Sequence, residues 1–231
     1  MHVGWDISHR GFTIRDYYYF SKLASLLESL NIKVHEIDEL SNLNSYDVLV
    51  FNYPEEPFDE KEKKLLHDYL LDGGRIILLG YFRNEDRVAD SVNSLARRYG
   101  IELLHDEVID KINSLDEEGY FITTTRLKEY NWGVRKVVLP CSASIKVKDA
   151  SSYPIVYAEN TAFSKLNGYG PPLFVAKKVG KGEIIVGGTC VFWDNYSIDK
   201  FDNAKLALNI IAGKDLSISR IPIKIKLPAN H

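Results

Sequence analysis

The residues best suited to chemistry lie close together near the start of the chain, in HVGWDISHRGFTIRD (2–16), which carries Asp6, Ser8, His9, Arg10, Arg15 and Asp16. A histidine with a carboxylate partner is the common general acid–base pair, so His9 with Asp6 or Glu55 would suit a hydrolase or a transferase. Ser8 would be a nucleophile beside it, but neighbours on an extended segment point to opposite sides, which argues against a serine–histidine pair. Metal binding would need Asp6, His9 and Asp194 to converge from distant parts of the chain. Neither G-x-G-x-x-G nor the P-loop pattern occurs, and Gly4 and Gly11 are too far apart to form a phosphate cradle. No cofactor and no metal is expected.

Several function classes lose ground on composition. The net charge of −3, from 29 basic and 32 acidic residues, gives no general attraction to nucleic acid or to an anionic membrane. A local basic patch of Lys177, Lys178 and Lys181 with Lys224 and Lys226 keeps nucleic-acid binding as an alternative. Two cysteines, Cys141 and Cys190, are too few for a disulfide framework and lack zinc-site spacing, so both read as buried small side chains. Met1 runs directly into a strand and no eighteen apolar residues occur in a row, which predicts a cytoplasmic protein without a membrane span. One methionine, two cysteines and 26% charged residues suit a thermophile.

The elements that must position the loop residues follow from apolar spacing. VGWDI (3–7) reads as a buried strand, and DYYYFSKLASLLESL (16–30) as a helix started by Asp16. Residues 17–20 are aromatic in succession and cannot all face one side: either Tyr17 or Tyr18 points toward the strand ends, or the run covers the sheet. IKVHEI (32–37), VLVFN (48–52) and RIILLG (75–80) read as further strands. A helix from Asp59 to Gly73 and another ending at Arg98 are interleaved with them, and 101–104 reads as one more strand. This alternation predicts a doubly wound, mostly parallel α/β sheet.

After Asp106 the long helices stop, and short strand-like runs predict an antiparallel insertion over 106–172. Runs at 173–179 and 183–186 flank Gly180-Lys181-Gly182 as a hairpin, and a final helix spans 201–212. The expected organisation is a single domain, 1–213, followed by a tail, 214–231, that would form an edge strand or an arm swapped onto a second subunit of a homo-oligomer.

DISHRGF with DYYYFSKLASLL, DVLVFNYPEEPFDEKE, GGRIILLG, and VGKGEIIVGGTCVFWDN with FDNAKLALNII resemble the class I glutamine amidotransferase-like superfamily. The resemblance is to its non-catalytic branch, found in gliding-motility, intraflagellar-transport and uncharacterised prokaryotic proteins; it covers 2–105 and 173–213. It implies a flavodoxin-like sheet with a ligand or partner face at the strand ends. Catalysis in that superfamily needs a cysteine on a strand-to-helix elbow, activated by a histidine. RIILLGYFRNE offers Tyr81 and Phe82 where the elbow would be, and GTCVF around Cys190 lacks the second glycine.

A binding or scaffold module is therefore the first expectation. Parallel strands would gather Ser8, His9, Arg10, Asn52, Tyr53, Glu55, Tyr81, Arg83, Thr189, Asp194 and Asn195 along one carboxyl edge. That mixture suits a sugar, a nucleotide-like ligand or a protein segment, while ordinary caps and loop hydrogen bonds would explain the same residues. The two classes separate on His9. A ring bonded to a carboxylate in an open pocket favours an enzyme, and a packed ring removes that reading.

Overall fold

Runs such as VLVFN and GEIIVG have no polar side to turn toward water, so the strands they form must be covered on both faces. In the computed structural model, which describes residues 1–213, this is what they do: every residue of both is buried. The tail expected as an edge strand or swapped arm, with Lys224 and Lys226, lies outside the described residues.

The first half alternates β1 (His2–Asp6), α1 (Tyr17–Ser29), β2 (Lys33–Ile37), β3 (Val48–Asn52), α2 (Glu60–Asp72), β4 (Arg75–Leu79) and α3 (Val88–Ala96). Asp16 caps α1 by accepting from the Tyr18 and Tyr19 amides, and α1 buries Phe20, Leu23, Leu26 and Leu27. Asp59 and Glu62 form a reciprocal capping box at the start of α2, which ends on Gly73 at φ 116°, a left-handed conformation that favours glycine.

The second half contains β5 (Ile101–Leu103), β6 (Val108–Ile109), β7 (Phe121–Thr124), β8 (Val137–Pro140) and β9 (Ile145–Val147). It continues with β10 (Ser152–Tyr157), β11 (Phe163–Ser164), β12 (Gly168–Tyr169), β13 (Pro172–Val179), β14 (Gly182–Gly187) and α4 (Asn203–Ala212). Seven strands form the main sheet in the order β10-β13-β14-β4-β3-β1-β2. The pairs from β2 through β14 are parallel, and β13 and β10 add an antiparallel edge. The protein is thus a mixed α/β structure on a mostly parallel sheet. Among the described residues, no helix is long and apolar enough to cross a membrane.

Two strands depart from the expected arrangement. The run at 101–104 does not extend the parallel sheet, because β14 already occupies the position beside β4, with Ile185 opposite Ile77. Instead β5 pairs with β9, and the Asn93 side chain brackets Leu103 with two 2.8 Å hydrogen bonds of the kind a neighbouring strand would supply. The 106–172 region is also less separate than expected. It forms most of three small antiparallel sheets but contributes β10 to the main one, against β13.

Candidate functional site

The loops after β1, β3, β4 and β14 all leave from the carboxyl edge, and β1 and β3 flank the point where ligands of such sheets usually sit. Here that crevice is filled by the chain itself. Trp5 and Trp193 are both fully buried, with ring centroids 5.5 Å apart. Trp193 Nε1 donates to Asn52 Oδ1 at 3.1 Å, and Trp5 Nε1 donates to the Phe12 carbonyl at 2.7 Å. The Phe12 amide in turn bonds to the Asn52 carbonyl. A Cβ on Gly11 would lie 2.7 Å from that carbonyl, so only glycine lets the first loop lie down across β3.

Asp6 organises the turn that precedes this closure. Its carboxylate is buried and accepts from the Ser8 hydroxyl (2.5 Å), the Ser8 and His9 amides, and His9 Nδ1 (3.0 Å). Ser8 and His9 therefore do not point to opposite sides as an extended segment would require. The chain turns around Asp6, and Ser8 Oγ lies 3.0 Å from His9 Nδ1. The far side of the ring, Nε2, faces Glu62 Oε2 at 3.5 Å. Glu55 is not a partner: its side chain is exposed, and its amide donates to the His9 carbonyl.

His9 is 3% exposed, with Phe58 at 4.3 Å and Phe51 at 5.6 Å between ring centroids. Burial alone would lower its pKa. The hydrogen bond and charge of Asp6, then the charge of Glu62, outweigh burial and raise it above the ordinary 6.5. Both ring nitrogens face carboxylates, Nδ1 that of Asp6 and Nε2 that of Glu62. The arrangement clamps the first loop to α2.

The remaining edge residues hold one another. Tyr53 sits at φ 65° with its hydroxyl on Asp86 (2.7 Å), and its ring lies 5.6 Å from that of Tyr81. Burial, followed by a hydrogen bond with Cys141, pushes the Tyr81 hydroxyl pKa upward. Arg83 is ion-paired with Glu107 and donates to Tyr120, and Arg10 pairs with Glu56 at 2.8 Å on the surface. Thr189 is buried on the Pro140 carbonyl, and Asp194 accepts from the Tyr196 and Ser197 amides. Asn195 Nδ2 donates to the Tyr17 and Tyr18 carbonyls while its Oδ1 accepts from the Lys22 amide, which fastens the last loop to α1. Among the described residues, no group of three or more His, Cys, Asp or Glu is placed to hold a metal ion.

What this edge does expose is aromatic. Tyr17, Tyr18 and Tyr19 are 74%, 79% and 44% exposed, so of the four successive aromatics only Phe20 covers the sheet. Phe12 joins them, 5.7 Å from Tyr19 and 4.8 Å from Tyr53 between centroids. Burial raises the pKa of both thiols, of Cys190, which is fully buried, and of Cys141, which is partly so. A separate cavity of about 370 Å³ opens at the opposite edge, beside Arg75 and Glu183. Its signal in the sequence is a charge at the entrance of each of two apolar strands, RIILLG and GEIIVG.

A mostly parallel sheet whose edge loops close over buried tryptophans defines a mixed α/β module. The chain belongs to the family described as Domain of unknown function (DUF4350), whose model matches residues 20–211. It is similar to an "Uncharacterized protein" of Aquifex aeolicus, 44% identical over 219 residues that cover 90% of this chain and 92% of that protein. It also resembles a "Beta-1,2-glucosyltransferase" of Ignavibacterium album, 23% identical over 179 residues, 76% of this chain but 21% of that protein. Among solved structures it shares its fold with the "mmIFT52 N-terminal domain", at TM-score 0.79 and 19% identity, over 94% of this chain and 99% of that one.

Proposed function

We propose that the chain is a non-catalytic binding module of the glutamine amidotransferase-like kind, which engages a protein partner through the tyrosine ridge at the carboxyl edge of its sheet. The observation that carries this reading is the contrast at that edge. Its crevice is filled by Trp5 and Trp193, while Tyr17, Tyr18 and Tyr19 stand in solvent at the start of α1. Exposed, adjoining aromatics are characteristic of binding surfaces, and tyrosine is among the residues most enriched in them. The β2-β1-β3-β4-β14 order corresponds to the flavodoxin-like order 2-1-3-4-5, which supports the superfamily assignment. A single compact domain and a cytoplasmic location belong to the same reading.

The other readings lose their support. A sugar or nucleotide-like ligand in the crevice would have to displace two tryptophans. The acid–base enzyme needs an accessible His9, and its ring is packed. Lys177 is paired with Asp149, and Lys178 with Glu183 at 3.1 Å, so these two lysines do not form a free basic patch.

The non-catalytic part is tested by thiol chemistry. With iodoacetamide at about pH 8, near the ordinary cysteine pKa, Cys190 should stay unmodified in the native chain and label fully only in denaturant. Cys141 should label slowly. Rapid, stoichiometric modification of native Cys190 would restore a nucleophile to the site and contradict the proposal.

A further inference from the structure

Strands β4 and β14 begin side by side at the amino edge, with Arg75 and Glu183 opposite each other in the register and Lys178 opposite Glu183 on β13. Glu183 is 2% exposed and accepts hydrogen bonds from the Tyr130 and Tyr153 hydroxyls. Lys178 Nζ lies 3.1 Å from it and Arg75 Nε 3.4 Å. Arg75 is pinned from behind, because its Nη1 donates to the Ile210 and Ile211 carbonyls at the end of α4. Its Nε is buried and has no hydrogen-bond partner among the described residues. That N–H faces the Glu183 carboxylate without a well-formed hydrogen bond, so Arg75 and Glu183 form a charged pair at the wall of the pocket.

The chemistry of the walls narrows that ligand. The cavity here, about 370 Å³, is at the small end of ligand clefts, which run from roughly 300 to 1,000 Å³. Arg75 and Lys178 balance Glu183 and Glu129, so the pocket carries no net charge and favours neither an anion nor a cation. Tyr130 and Tyr153 direct their hydroxyl protons at Glu183, which leaves oxygen lone pairs for hydroxyl donors of a ligand. Trp132 is partly exposed on the wall, 5.6 Å from the Tyr130 ring, and supplies an apolar face. An aromatic face, several lone-pair acceptors, the exposed Lys178 ammonium as a donor and balanced charge together fit a neutral polyhydroxylated ring.

We propose that this amino-edge pocket binds a neutral sugar of one or two rings, independently of the tyrosine ridge at the other edge. Trp5 and Trp193 are fully buried, so Trp132 is the indole whose emission a ligand here can change. The experiment titrates the full chain with glucose, galactose, mannose and their β-linked disaccharides, by fluorescence and by calorimetry. At least one sugar should give a saturable signal with Kd of about 1 mM or tighter. In calorimetry, Trp132→Ala and Glu129→Gln should each weaken it about tenfold or more. Glu129 is an exposed side chain, so its variant folds normally, and Tyr18→Ala at the far edge should leave binding unchanged. No saturation by any of these sugars at about ten times that Kd, undiminished binding in either pocket variant, or displacement of the sugar by inorganic phosphate would overturn the proposal.

Discussion

Replacing Trp193 with alanine is expected to destabilise the protein by about 3–5 kcal/mol, the range for truncating a buried tryptophan in a close-packed site. Its ring contacts those of Trp5 and Phe192, and its indole N–H is the partner of Asn52 Oδ1. Asn52 Nδ2 is already buried without a hydrogen-bond partner among the described residues, so the variant would leave both ends of that amide unpaired. Urea unfolding should show the loss as a lower midpoint at unchanged slope. The size of the loss separates two roles for Trp193. A lid that swings away from a ligand site contributes little when closed, and a loss under about 1 kcal/mol would identify one.

Asp6→Asn should cost about 3 kcal/mol, because it removes the buried charge that the Ser8 and His9 donors bond to and turns amide hydrogens toward those donors. It should also change how stability depends on pH. In the native chain the His9 pKa lies above its ordinary 6.5, so the folded state binds the proton more tightly than the unfolded chain does. That contribution is fully present below 6.5 and is lost as pH rises through the folded value. With Asp6 neutral, burial remains as the largest influence on His9 and pulls its pKa down, so the gain on the acid side should shrink or vanish. Unfolding measured at about pH 6 and about pH 8.5, on either side of the ordinary histidine value, checks this. An equal pH dependence in the variant and the native chain would show that Asp6 does not hold the proton on His9.

The parts of the fold readable in the sequence are those set by local physics. Asp16, Asp59 and Gly73 act as caps where composition places them, and VLVFN and RIILLG are buried strands because they have no polar face. The departures arise where two distant segments compete for one position. Nothing within 101–104 shows that β14 will take the place beside β4, and nothing within SYPIVY shows that it will join the main sheet. The site followed the same division. The loop residues do gather at one edge, as parallel strands require, but most of their polar groups bond to one another. Asn195 ties the last loop to α1, Thr189 holds Pro140, and His9 is bonded to Asp6 and faces Glu62, while Glu55, the other carboxylate considered for it, is not a partner. Trp193 packs on Trp5 and Phe192 and bonds to Asn52 of β3, partners that its own loop does not name. The Arg75–Glu183 pairing was written in the sequence as two charges opening two apolar strands, yet it becomes visible only when the register sets them side by side.

The most direct test of the central claim is photo-crosslinking from the ridge. p-Benzoylphenylalanine placed at Tyr18 in the native host should give a discrete adduct with another protein. The adduct should be absent when the same group replaces Leu65, which is exposed on α2, and should be lost when Tyr17 and Tyr19 are changed to serine. No adduct from position 18, or the same adducts from positions 18 and 65, would contradict the assignment of this edge as a binding face.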